Sequence, residues 1–295
     1  MECPLCHSPN LALRKSVTVD SLFKAWEQEF GIDIHSELGD ISVIQLFACK
    51  SCGLEHFIPD NLSGSAGLYA SLDKFDWYYM PRKWEHDLAL HDLPGCQVVL
   101  EIGCGTGDFV ARMLENGITS AEGIELNESA VQNAQSHGLP VRRIDLADLA
   151  IEKTGQYDAV CSFQVLEHVP NPGEFLQSSC ALLKPGGRLM VGVPNADSYL
   201  RYQFNLLDMP PHHLTRWPPA VLERLPERLL LRLIRLEREP LADYHVADYV
   251  DTFLNRFVRP INRQPLRHLL TWLIRHAGLQ KRITGHTVYA AYERT

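Results

Sequence analysis

The chain lacks any apolar run approaching the roughly 18 residues that a membrane-spanning helix needs. It also lacks a basic segment followed by an apolar stretch at its start, so no secretory leader is expected. No internal repeat and no low-complexity tract interrupts the 295 residues. Lys and Arg are outnumbered by Asp and Glu for a net charge of −8, which disfavours wholesale binding to a polyanion. What is present is ordinary globular composition, 45% hydrophobic and 22% charged, enough for one large α/β domain plus a small accessory unit. Eight cysteines without a leader point to reduced thiols and metal ligation rather than disulfides, hence to the cytoplasm.

Four of those cysteines form two Cys-x-x-Cys knuckles, Cys3/Cys6 and Cys49/Cys52, the second followed by Gly53. This spacing lets paired thiolates face one tetrahedral ion, and two knuckles close a structural four-thiolate zinc site. The long gap between them holds a helix predicted over Leu22–Phe30, so the zinc ribbon carries an insertion. His7 and His56 flank the knuckles as alternative ligands, and Cys96, Cys104, Cys161 and Cys180 read as packing residues.

Three regions follow from the pattern: a zinc-ribbon module over 1–60, an aromatic linker over 61–95, and an α/β domain over 96–295. In the last, short apolar runs alternate with amphipathic stretches, as βα units around a parallel sheet do. Strands are predicted at Val98–Glu101, Ala121–Glu125, Val141–Ile144, Asp158–Ser162, Arg188–Val193, Leu231–Leu236 and Val288–Tyr292. Helices are predicted over Phe109–Leu114, from an N-cap at Asn127 to about His137, and from Asn171-Pro172 to Lys184.

The first of these strands runs into Glu101-Ile102-Gly103-Cys104-Gly105-Thr106-Gly107. Gly103, Gly105 and Gly107 permit positive φ and close approach of a ligand to the backbone. Dinucleotide-binding folds place a similar loop here, but the carboxylate of Glu101 disfavours a pyrophosphate. It suits S-adenosylmethionine, which has no phosphate and offers an ammonium and a sulfonium.

Residues 98–193 resemble a class I S-adenosylmethionine-dependent methyltransferase. The resemblance rests on the glycine loop, on Gly123-Ile124-Glu125-Leu126-Asn127, on Asp145, on Tyr157–Val169 and on Leu182–Leu189. It implies a Rossmann-like, doubly wound, seven-stranded, mostly parallel sheet. It implies that Glu125 accepts hydrogen bonds from the ribose hydroxyls and that Asp145 lies near the adenine amino group. Phe163 joins Glu101, Gly103, Gly105, Gly107, Glu125 and Asp145 as a cofactor-side residue.

For chemistry, Gln164, Glu167 and His168 follow the fourth strand of that domain, and His212-His213 follow the fifth. The pattern resembles ubiquinone-pathway O-methyltransferases and small-RNA terminal 2′-O-methyltransferases, which carry Glu-x-x-Glu-His. The RNA enzymes add a later His to hold a divalent ion. Here Gln164 replaces the first Glu, removing one anionic ligand. Three readings stand open: a second divalent cation near Gln164, Glu167, His168 and His213; a histidine base without metal; and residues that simply pack a turn. On the first two, His168, His213 and Glu167 are the catalytic candidates. By position alone, Asn195 and Tyr199 are expected at the same mouth.

Trp77, Tyr78, Tyr79 and Trp84 read either as packing between units or as a stacking surface for an acceptor. Residues 244–283 are expected to form a helical insertion whose Arg256, Arg259, Arg263, Arg267, Arg275, Lys281 and Arg282 interleave with aromatic and aliphatic side chains. A solvated amphipathic helix is one reading, and weak peripheral contact with a membrane or partner is the other. The overall arrangement is similar to uncharacterised methyltransferases that accompany glycan-building enzymes. The expected reaction is therefore O-methylation of a sugar, a glycan end or a related small metabolite. RNA methylation with the ribbon as a clamp is the alternative, disfavoured by the acidic charge. A non-catalytic S-adenosylmethionine-binding protein is the third possibility.

Overall fold

Strand identity in this chain follows from apolar alternation, and sheet position from which faces are covered. The computed structural model describes residues 1–60, 62–75, 78, 80–257 and 263–295. Trp77, Tyr79 and Arg259, singled out above, lie outside the described residues.

The strands are β1 (Leu11–Thr18), β2 (Val43–Cys49), β3 (Glu55–Ile58), β4 (Val98–Ile102), β5 (Ser120–Ile124), β6 (Val141–Arg142), β7 (Tyr157–Phe163), β8 (Leu183–Pro194), β9 (Thr215–Arg216), β10 (Leu231–Pro240) and β11 (Thr284–Arg294). The large sheet has the order β10-β11-β8-β7-β4-β5-β6. Pairs β7–β8, β4–β7, β4–β5 and β5–β6 are parallel, whereas β11 runs antiparallel to both β8 and β10. The seven expected strands are all present. β8, β10 and β11 extend beyond the predicted ends, and β6 stops two residues early because Asp145 already caps the next helix.

Both faces of the sheet are buried, and successive side chains choose opposite sides. Val99, Ala159, Cys161, Met190 and Ala291 enter one apolar cluster, while Leu100, Val160, Leu189, Val191 and Ala290 enter the other. The flanking helix Asp108–Glu115 buries Phe109, Val110 and Met113, a spacing that keeps them on one stripe. Asn127 caps Glu128–Ser136 by accepting from the N–H groups of Ser129 and Ala130.

The small antiparallel sheet has the order β1-β2-β3-β9. Its fourth strand comes from beyond β8, pairing Glu55 with Arg216 and His56 with Thr215. The helix between β1 and β2, Val19–Phe30, buries Trp26 completely. Cys3, Leu5, Cys49, Cys52 and Leu54 pack in the same apolar cluster as Leu100 and Val160 of the large sheet. At Gly173, a Cβ would meet the carbonyls of Pro4 and Leu5 at 3.1 and 3.0 Å, tighter than ordinary contact, so the first knuckle seats closely on the helix Pro172–Leu182.

Residues 244–283 contain two helices, Val246–Phe257 and Gln264–His276, leading into β11. No helix among the described residues is long and apolar enough to cross a membrane.

Candidate active site

The loop after β4 is held by backbone geometry that its glycines make possible. Gly103, Gly105 and Gly107 have φ of 71°, 53° and 84°, a region costly for residues with a Cβ. A Cβ on Gly103 would run into the Val165 side chain, and one on Gly107 would reach Leu139 at 2.8 Å. Glu125, at the end of β5, accepts from the N–H groups of Gly105 (3.1 Å), Leu126 and Asn127 (both 2.8 Å). These donors aim the carboxylate beside the loop before any ligand arrives.

Glu101 lies under the same loop, fully buried, and desolvation lifts its carboxyl to about 8. Its Oε2 has no partner among the described residues. Asp145 lines the cavity and spends Oδ1 as a cap for Ala147 N–H at 2.8 Å. Phe163 packs edge-on against Phe109 and beside His86, whose ring is buried and held down at about 3 by desolvation.

One cavity of about 630 Å³ connects these groups. Gly103, Gly105, Glu101, Glu125, Asp145 and Phe163 line one part. Gln164, His168, Lys83, Met80, Tyr69 and Tyr78 line another. Thus the segment between the two sheets supplies walls that the expected cofactor motifs do not contain.

Beyond His168 lies a cluster of three histidines, His168, His212 and His213, with ligand-capable atoms all within 4.8 Å of one another. Each Nδ1 faces an oxygen acceptor. His168 Nδ1 donates to the His212 carbonyl at 2.7 Å, and His212 Nδ1 to the Leu207 carbonyl at 2.8 Å. His213 Nδ1 reaches Asp208 Oδ1 at 3.5 Å. Neutral imidazoles held in this way turn Nε2 lone pairs outward from their acceptors, an arrangement that orients metal-ligating histidines. Burial holds all three below the ordinary imidazole range, His212 at about 4. Tyr78 Oη lies 3.0 Å from His212 Nε2, and Tyr69 Oη 3.2 Å from His168 Nδ1.

Glu167 is buried behind this cluster, with Oε1 3.8 Å from His168 Nε2. Both of its oxygens are without hydrogen-bond partners among the described residues, and desolvation lifts the carboxyl to about 8. A buried carboxyl left this way carries a desolvation cost that a nearby cation would offset. Gln164, in the left-handed region at φ 58°, lines the cavity, but its Nε2 donates to Glu85 at 2.8 Å.

The catalytic candidates read from the sequence name His213 of the His212-His213 pair, and the structure brings His212 into the same cluster. Here the chain turns: the N–H groups of both His212 and His213 bond to the Met209 carbonyl, and the two rings stack at 4.5 Å. Asp208, which orients His213 and pairs with Arg216 at 2.9 Å, was also not foreseen. Asn195 and Tyr199, expected at the mouth, sit elsewhere. Asn195 Nδ2 reaches the Gly285 carbonyl, and the Tyr199 hydroxyl donates to Asp248, because the chain after β8 turns toward β11.

The four knuckle cysteines converge as expected, with ligand atoms within 4.8 Å of one another. Cys3 Sγ lies 3.5 Å from Cys52 Sγ, and Cys6 Sγ 3.5 Å from Cys49 Sγ. The contact between Cys3 and Cys52 holds Cys3 toward the thiolate and Cys52 toward the thiol, one proton shared between two sulfurs. Four free cysteines closing a tetrahedral set leave no open position, which fits a structural ion. His56 is buried beside this unit in β3 and is not in the cluster.

A family model described as a methyltransferase domain matches residues 77–236. Curated relatives include a ubiquinone biosynthesis O-methyltransferase of Bordetella avium, 38% identical over 111 residues, covering 36% of this chain and 45% of that protein. Another of the same name, from Dechloromonas aromatica, is 30% identical over 181 residues, covering 55% and 77%. The chain spans about half the length of several such relatives. Among solved structures, an S-adenosylmethionine-dependent methyltransferase from Mesorhizobium loti superposes with TM-score 0.50 at 15% identity, over 73% of this chain and all of that one. That likeness concerns the fold.

Proposed function

This chain belongs to the class I S-adenosylmethionine-dependent methyltransferase family, and from that premise we propose that it methylates a hydroxyl of a sugar, a glycan end or a related small metabolite. The observation that carries the reading is convergence: the glycine loop, Glu125 and His168 line one cavity, with His212, His213 and Glu167 directly behind. Glu125 takes the ribose hydroxyls, and Glu101 is available to the ammonium group. Asp145 and Phe163 lie on the adenine side.

Methyl transfer is an in-line displacement: the acceptor oxygen forms a bond to the methyl carbon as the carbon–sulfur bond breaks. The sulfonium leaves as a neutral thioether, and the acceptor loses its proton. Much of the acceleration then comes from holding oxygen and methyl at attack distance. The remainder requires somewhere for the proton to go, and His168, the imidazole that lines the cavity, is the group placed to take it, as a base weakened by burial.

The donor set also fits a divalent cation, held by His168, His212 and His213 with Glu167 beside them. Gln164 donates its Nε2 to Glu85, so the atom it would offer a cation is Oε1. When bound, such an ion would lower the pKa of an acceptor hydroxyl. The buried Glu167 carboxyl, its two oxygens without hydrogen-bond partners among the described residues and Oε1 3.8 Å from His168 Nε2, supports this assignment, since a cation beside it would offset its desolvation.

The test is production of S-adenosylhomocysteine with a one-methyl mass gain on glycosides and small polyols. A second reading, a hydroxyl of a ubiquinone-pathway compound, is favoured by the names of the curated relatives and is assayed beside it. Methylation of RNA with neither small acceptor modified would replace both.

A further inference from the structure

From Thr252 to Tyr292 the sequence has no Asp or Glu and seven Lys or Arg, in a chain whose net charge is −8. The helix Gln264–His276 lies within this stretch, and the helix Val246–Phe257, which carries Asp248 and Asp251 ahead of it, runs into it. The two meet through one face each, with Val250, Leu254 and Ile274 buried between them and Leu270 packed against the cluster. The helix Gln264–His276 has a second apolar stripe on its far side. Leu266, Leu269, Trp272 and Leu273 recur at helical spacing, and Leu269 and Trp272 are 52% and 55% exposed. A surface helix with one solvent face should be polar there.

Phe253 and Phe257 of the neighbouring helix add two exposed rings, 5.0 Å apart. Arg256 lies over the rings of Phe257 and Tyr202, and Tyr202 is itself exposed. Arg275, Lys281 and Arg282 are solvent-facing. Asp251, paired with Arg267, is the acid engaged with these two helices' arginines among the described residues.

We propose that this outer face of the helix pair docks on an anionic lipid surface. The aliphatic and aromatic stripe enters the acyl boundary, while arginines and lysines meet acidic headgroups. A second copy of the chain is a poorer occupant, since a two-fold contact through this face would set like charges against each other. RNA would satisfy the cations but not Leu266, Leu269 and Leu273. The inference is independent of which acceptor is methylated.

Sedimentation with vesicles tests it. The chain should pellet with phosphatidylcholine vesicles containing phosphatidylglycerol and stay in solution with phosphatidylcholine alone. Leu269→Ser with Trp272→Ser should lower partitioning at least about tenfold. Lys281→Glu with Arg282→Glu should do likewise, since each basic residue contributes about 1 kcal/mol, roughly fivefold. Unchanged S-adenosylmethionine affinity in both variants reports an intact fold. Independently of any folding effect, lipids brominated in the acyl chain should quench the parent's tryptophan fluorescence, and Trp272→Phe should lose that quenching. The proposal is overturned by pelleting with neither vesicle, by equal pelleting with both, by variants that bind like the parent, or by RNA binding without vesicle binding.

Discussion

The backbone N–H of Leu214 donates to the carbonyl of Glu167 at 2.8 Å. That bond fastens the segment carrying His212 and His213 to the turn carrying His168. The Leu214 carbonyl in turn accepts from Phe57 N–H at 3.0 Å, and Thr215 Oγ1 donates to the Leu166 carbonyl. The histidine centre is therefore braced by β3, the strand that follows the second cysteine knuckle.

Zinc removal should be felt at that brace. One tightly held zinc per chain is expected at Cys3, Cys6, Cys49 and Cys52, its binding free energy contributing to folding. Cys52→Ser should lower the melting temperature by several degrees and reduce turnover as well. Elemental analysis without zinc and four freely titratable thiols would remove the premise.

Gly173→Val should loosen the first knuckle on its helix, because the added side chain crowds two backbone carbonyls that already lie 3.0 and 3.1 Å from where its Cβ would sit. A cost of about 1–3 kcal/mol is expected, read by denaturant unfolding. Stability equal to the parent would mean the knuckle is not seated as described.

Glu125→Ala strands three backbone N–H groups and removes the ribose acceptor. Hydrogen bonds to a charged group contribute about 1.5–3 kcal/mol, so affinity for S-adenosylmethionine should fall by at least about tenfold. Gly105→Asp should be comparably damaging. Calorimetry finding parent-like affinity in Glu125→Ala would sink this assignment.

Glu101, lifted from 4.5 to about 8, holds a proton in the folded apo chain that the unfolded chain releases. Its contribution to stability is full below pH 4.5 and is lost as pH rises through about 8. Pairing with the ligand ammonium favours the carboxylate, so binding at neutral pH should release a proton. Calorimetry in two buffers of different ionisation enthalpy should detect it, and Glu101→Gln should abolish it. An identical binding heat in both buffers for the parent would count against the pairing.

His168→Ala or His213→Ala should end turnover while leaving cofactor affinity within a few-fold. A metal-dependent enzyme loses activity in a chelator and recovers with a divalent ion while the zinc unit stays intact. A metal-free enzyme ignores the chelator, and its activity falls at low pH as the imidazoles take up protons. Near-normal turnover in both variants makes these residues structural.

The sequence by itself determined the succession of βα units along the chain, the glycine loop, Glu125 as a strand-end acid and the four cysteines. Each is a local signal: a periodicity, a positive-φ requirement or a two-residue spacing. Tertiary structure decided what lies opposite them. β9 pairs with β3, Arg216 opposite Glu55 at a separation of 161 residues, and no local pattern in Thr215-Arg216 marks that partner. His212 joins His168 and His213 only because the chain turns at Met209. Tyr69 and Tyr78 reach the histidines from a segment whose aromatic residues could equally have packed between units. Asn195 and Tyr199 miss the cavity because side-chain direction after a strand is set by the next contact, here with Gly285 and Asp248. Local sequence specifies which groups are offered, and long-range packing specifies which of them meet.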